Sequence, residues 1–208
     1  MRSIISSASF VLVLLCAACS GPSKPGPGGP GSGGEGAPPA PKPDRAAGLA
    51  AFETVRAVFQ HPRCQNCHPA GDAPLQGDEG RPHNQNVQRG PKGEGMVGLE
   101  CTTCHGAANP PAAYGRNIPP GNVKAWHMPP PEMKMVFVGM SPKALCEQVK
   151  DPARNGGRDM AALRTHLDDP LVTWGWQPGF GRAAIPTPRE TFLAAWETWT
   201  GADAPCPE

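Results

Sequence analysis

The chain has 208 residues and a formal charge of +1, which leaves room for one domain plus targeting and linker segments. Its 28 prolines and 26 glycines argue for long irregular stretches rather than a regular sheet or bundle. No Lys or Arg cluster stands out, and once residues 1–18 are set aside, with Arg2 as their one charge, acidic and basic side chains balance; nothing recommends nucleic acid as a partner.

The N-terminus reads as an export signal. Arg2 gives a positive start, Ile4 to Leu15 is mostly apolar, and the small residues Ala17 and Ala18 precede Cys19. The apolar stretch is too short for a permanent transmembrane helix. Cys16-Ala17-Ala18-Cys19 resembles the lipobox of bacterial lipoproteins, with Cys16 where that family carries Leu. The resemblance implies a lipoprotein-type signal over residues 1–18 and acylation of Cys19, hence a membrane anchor. Residues 19–43 form the next unit: Ser20 to Pro43 holds eight Gly and eight Pro and is expected to be a tether that buries no apolar surface.

The folded part is expected over residues 44–208. Leu49, Phe52, Val55 and Phe59 recur at helical spacing, predicting a helix stopped by Pro62. Ser141-Pro142 is a cap followed by proline at the first helical position, with Leu145 and Val149 on the buried side. Met160, Leu163 and Leu167 predict a third helix, ended by Asp168-Asp169-Pro170. Thr187-Pro188-Arg189-Glu190 matches a capping box, and Phe192, Leu193, Trp196 and Trp199 follow as an apolar stripe. Trp174-Gly175-Trp176 reads as a tight turn between two anchors.

From His61 to Gly139 no periodicity is visible, which counts against a compact domain unless that stretch wraps a large apolar group. Both copies of C-x-x-C-H lie there: Cys64-Gln65-Asn66-Cys67-His68 and Cys101-Thr102-Thr103-Cys104-His105. Two thiols three positions apart can each form a thioether with a vinyl group of one porphyrin, and the following His then ligates the iron. At an offset of 37 residues, Ala70 and Pro74 also match Ala107 and Pro111, so the two motifs read as a short internal repeat. The expectation is two covalently bound haem c groups, in a mainly α, cytochrome c-like fold with a few helices and long loops.

Two other readings use the same cysteines. A four-cysteine zinc site would need the pairs closer in sequence than the 33 intervening residues place them, and would leave His68 and His105 unexplained. Disulfides within each C-x-x-C are usually redox-active, and no thioredoxin-like pattern surrounds them. Cys146 and Cys206 are left over and are expected to pair in an oxidising compartment.

A six-coordinate iron needs a second ligand, usually His or Met. His83 and His127 are expected in that role, with His61 as the runner-up and Met96, Met128, Met133 and Met135 as rivals. His166, in a predicted helix with an apolar stripe, is expected to pack or face solvent. No acid pair, nucleophilic triad or phosphate loop is present, so electron transfer without catalytic residues is expected. A dihaem enzyme of the peroxidase-like type, or a gas or redox sensor, would instead keep one haem site open.

The motifs resemble those of bacterial dihaem cytochromes c. More narrowly, His61-Pro62-Arg63-Cys64-Gln65-Asn66-Cys67-His68-Pro69, Trp126-His127-Met128-Pro129-Pro130-Pro131, Lys150-Asp151-Pro152-Ala153-Arg154-Asn155-Gly156-Gly157 and Trp174-Gly175-Trp176 resemble a family of small exported proteins labelled isoquinoline 1-oxidoreductase subunit. The resemblance covers most of Ala50 to Pro207. It implies a periplasmic electron acceptor serving redox partner proteins, among them a molybdenum-type oxidoreductase. None of these residues suits a molybdenum cofactor or isoquinoline itself.

Overall fold

The computed structural model describes residues 44–106, 126–179 and 181–208; the expected signal segment, the tether and Cys19 lie outside them. The described chain is mainly helical, with irregular loops and four strands of two residues each.

Helix α1 (Arg45–Phe59) begins at Asp44, whose carboxylate accepts from the backbone N–H groups of Ala46 and Ala47. Its buried side carries Gly48, Phe52, Val55, Val58 and Phe59, one helical face. Pro62 does more than end α1: it is the first residue of a one-turn helix, α2 (Pro62–Gln65), where its missing N–H costs nothing. Ser141 caps α3 (Pro142–Lys150) through its side chain, as the sequence predicts. Asp159 caps α4 (Met160–His166), and Pro170, expected only as a stop, opens the short α5 (Pro170–Thr173). A 3-10 turn spans Trp174–Trp176, and α6 (Arg189–Gly201) closes the helical set.

At α6 the expected capping box does not form. The N-cap residue is Pro188, not Thr187, and no side chain caps the first turn. The shift by one residue has a visible cause: the Thr187 carbonyl is held by the Trp176 indole N–H at 2.7 Å, which fixes Thr187 outside the helix.

Helix α1 packs along α6. Phe52 meets Trp199 at 5.0 Å between ring centroids, and Phe59 reaches Phe192 and Trp196 at 6.0 and 6.4 Å. Leu145, Cys146 and Val149 of α3 and Leu163 of α4 complete this core, together with Phe137 from the preceding loop. The Cys146–Cys206 disulfide, with Cα atoms 5.6 Å apart, ties α3 to the C-terminal tail. Trp199 Nε1 and Lys150 Nζ donate to the Pro205 and Ala204 carbonyls and anchor the same tail.

Among the described residues, none from Gln65 to Lys134 joins the main hydrophobic cluster; the buried Met128 stands apart from it. That stretch carries two separate antiparallel hairpins, β1 (Leu75–Gln76) with β2 (Arg81–Pro82) and β3 (Gly95–Met96) with β4 (Leu99–Glu100). It is held by polar contacts instead of apolar ones. No described helix is long and apolar enough to cross a membrane.

Candidate functional site

The first motif is a continuation of α2. His61 caps this turn, its ring Nδ1 accepting from the Arg63 N–H at 3.2 Å. Backbone bonds from Cys67 N to Cys64 O and from His68 N to Gln65 O carry the turn on, so both thiols and the histidine follow within one compact stretch. The two thiols are unpaired. Burial pushes Cys64 up to about 12 and Cys67 up to about 11, so both are thiols rather than thiolates at neutral pH.

His68 is oriented by two contacts. Its Nδ1 meets the Met135 carbonyl at 2.8 Å; a carbonyl only accepts, so Nδ1 carries the proton and Nε2 keeps its lone pair. Its ring stacks on Phe137 at 4.1 Å, and Phe137 N donates to the His68 carbonyl. Burial holds the imidazole at about 4, below its ordinary value, so it is neutral. A neutral imidazole with Nδ1–H anchored to a carbonyl is the state a metal-ligating histidine requires.

The second motif starts on a 3-10 turn, Cys101–Thr103, that follows β4 directly. Cys101 N donates to Glu94 O, and His105 N to Cys101 O. Cys101 and Cys104 are unpaired, and burial raises the Cys101 thiol. A charge on Cys101 would also raise Cys67, which puts the two within electrostatic reach. The His105 ring stacks on Trp126 at 4.8 Å and nearly parallel.

His83 faces His105, with ring centroids 6.2 Å apart. Two imidazoles gripping one metal from opposite sides would be about 6 Å apart, from two bonds of ~2 Å and two ring radii of ~1 Å. His83 Nδ1 meets the Asn84 carbonyl at 2.8 Å, which again leaves Nε2 as the available nitrogen. His127 is exposed: Trp126 on one side is taken up by His105, and Met128 on the other is buried, with its N–H on Gly93 O. His166, half-buried at the end of α4, lies close enough to His68 for its charge to oppose protonation there. His166, expected to pack or face solvent, is half-buried near the buried Leu163 and Leu167.

Two buried arginines hold the motif loops in place. Arg89 donates to the Pro69, Gly71 and Pro129 carbonyls, joining the chain after the first motif to the chain beyond the second. Arg63 donates to Gly77 O and to Asp78 at 2.5 Å, and its guanidinium lies over the Trp174 ring at 5.8 Å. Among the described residues, four buried side-chain polar atoms without a hydrogen-bond partner lie in or against this region: Arg63 Nε, Asn66 Oδ1, Gln76 Nε2 and Trp174 Nε1; Arg89 Nε has the Asp72 carboxylate at 3.6 Å. Buried polar atoms rarely go unsatisfied, so so many in one place point to a polar group belonging there.

Among the described residues no three of His, Cys, Asp and Glu converge to hold a metal ion, and the two C-x-x-C pairs do not assemble a four-cysteine site. A haem iron takes at most two ligands from the chain, and so asks for no such cluster. Comparison with protein-family models, curated proteins and solved structures finds no match to this chain.

Proposed function

We propose that the protein is an exported dihaem c-type cytochrome that transfers electrons. The observation that carries this reading is a pair of C-x-x-C-H turns, each with two unpaired thiols, whose first copy is set against the edge of the helical core at Cys64 and Phe137. The residues fit the group: thiols spaced for two vinyls, a His68 tautomer with Nε2 available, a facing His83–His105 pair, and orphaned donors in the surrounding loops. Cys64 and Cys67 would hold one porphyrin, Cys101 and Cys104 the other. His68 and His105 would ligate the irons, with His83 opposite His105. Bound haem would supply a one-electron iron couple.

The chain's own part is to orient the ligands and limit water. Met135 O fixes the His68 tautomer, Phe137 packs on one face of its ring, and Trp126 does the same for His105. With the signal at residues 1–18 and a lipid on Cys19, the tether would keep this domain at a membrane surface on the periplasmic side. Redox partner proteins, including a molybdenum-type oxidoreductase, are the proposed donors and acceptors.

The test is to purify the exported protein and measure haem content and spin state. Two haems per chain, both low-spin and inert to carbon monoxide, support the electron carrier. A high-spin component that binds carbon monoxide or turns over peroxide favours the open-site enzyme or sensor, and absence of covalent haem refutes the reading.

A further inference from the structure

Arg63 lies one residue before Cys64, with its side chain 2 % exposed. Its one carboxylate partner is Asp78, which also accepts from the Ala183 N–H and is half in solvent. Arg63 Nε has no partner. Trp174 lies against the guanidinium, and its buried Nε1–H is also unpartnered. Asn66 and Arg63 both donate to Gly77 O, and the adjoining Gln76 presents a third orphaned donor, Nε2; Asn66 Oδ1 is the single orphaned acceptor. The Arg63 guanidinium already holds Asp78 and the Gly77 carbonyl, so what is left unmet is the buried N–H at Nε, beside that of Trp174, and a buried donor without an acceptor is costly.

On the haem reading just given, we infer that Arg63 and Trp174 form a seat for a carboxylate, namely a propionate of the porphyrin carried at Cys101, Cys104 and His105. The choice of porphyrin follows from its shape. Thioethers form at the vinyl edge and the propionates leave from the opposite edge, so a residue beside Cys64 is at the wrong edge of its own porphyrin. Toward the other, the contacts run continuously: Arg63 over Trp174, Trp174 edge-on to Trp126 at 5.4 Å, and Trp126 stacked on His105. The first motif would thus supply the charge that neutralises the second porphyrin, and Arg, with its planar fork, suits a carboxylate better than Lys. The seat also gives the Trp174-Gly175-Trp176 turn a division of labour. Trp176 bonds inward to Thr187 O, and Trp174 turns to Arg63.

The experiment uses the whole exported protein with haem carboxyl carbons labelled by carbon-13, read by redox-difference infrared spectroscopy. The parent should show labelled carboxylate bands; a parent without haem would show none and would fail the haem reading itself. Arg63→Met and Trp174→Phe should each shift one labelled band while both haems stay attached, and Arg63→Lys should shift it less than Arg63→Met. In a Cys64→Ala/Cys67→Ala protein, which keeps only the second porphyrin, the Arg63→Met shift should persist. Unchanged labelled bands in both haem-loaded variants would overturn the seat, and a shift lost in the single-haem protein would overturn its assignment to the second porphyrin. Trp174→Phe keeps the ring, so the result survives if Arg63→Met fails to assemble.

Discussion

At the scale of single residues, the histidines divide by what their Nδ1 and ring faces already do. His68 and His83 have Nδ1 committed to carbonyls and Nε2 available, whereas His61 spends Nδ1 on capping the turn that carries Cys64. His83→Ala is expected to leave haem content unchanged and to convert about half of it to a high-spin form that binds carbon monoxide. His127 is the ligand expected on the other iron, so His127→Ala should yield a second high-spin species and His166→Ala a parent-like spectrum. A parent-like His127→Ala protein would remove His127 from that role.

Between elements, close approach and covalent linkage outweigh local preference. Gly48 lies inside α1, where Ala would ordinarily be favoured by about 1 kcal/mol. A Cβ there would meet the Ala202 Cβ at 2.7 Å and Pro205 Cγ at 2.8 Å, so Gly48 is what lets α1 press on the end of α6 and the tail. Gly48→Ala should therefore destabilise by roughly 1–3 kcal/mol in urea unfolding, opposite in sign to helix propensity. The Cys146–Cys206 bridge spans 60 residues and locks α3 to that same tail. Cys146→Ser/Cys206→Ser should cost about 4 kcal/mol by the loop-entropy argument. An unfolding midpoint equal to the parent's would show that Trp199 and Lys150 hold the tail unaided.

For the whole molecule, the helical core and the motif-bearing loops are separable. The aromatic cluster of α1, α6 and Phe137 touches the first motif at Cys64 and through the His68–Phe137 stack, whereas residues 66–106 depend largely on Arg63, Arg89 and short hairpins. A protein with Cys64, Cys67, Cys101 and Cys104 all replaced by Ala, exported so that the disulfide still forms, is expected to keep slow hydrogen exchange in α1, α3 and α6. Its loops over 66–106 and 126–136 should exchange fast, where the haem-loaded parent is protected. Equal protection of those loops in both proteins would mean that the cofactor does not order them.

The sequence alone determined what depends on spacing along the chain. The cap at Ser141, the buried faces of α1 and α3, and the two C-x-x-C-H turns were all legible, because each is settled within a few neighbouring residues. The Cys146–Cys206 pairing was reached by leaving no other partner for either thiol. Contacts between distant segments were settled only in three dimensions. Thr187 resembled a helix cap until its carbonyl was claimed by Trp176. Arg63 stood in the sequence only as one letter of the block around the first motif, with no role of its own. Its burial, its bond to Gly77 O and its contact with Trp174 join chain 14 to 111 residues apart, a distance over which periodicity and local propensity carry no information.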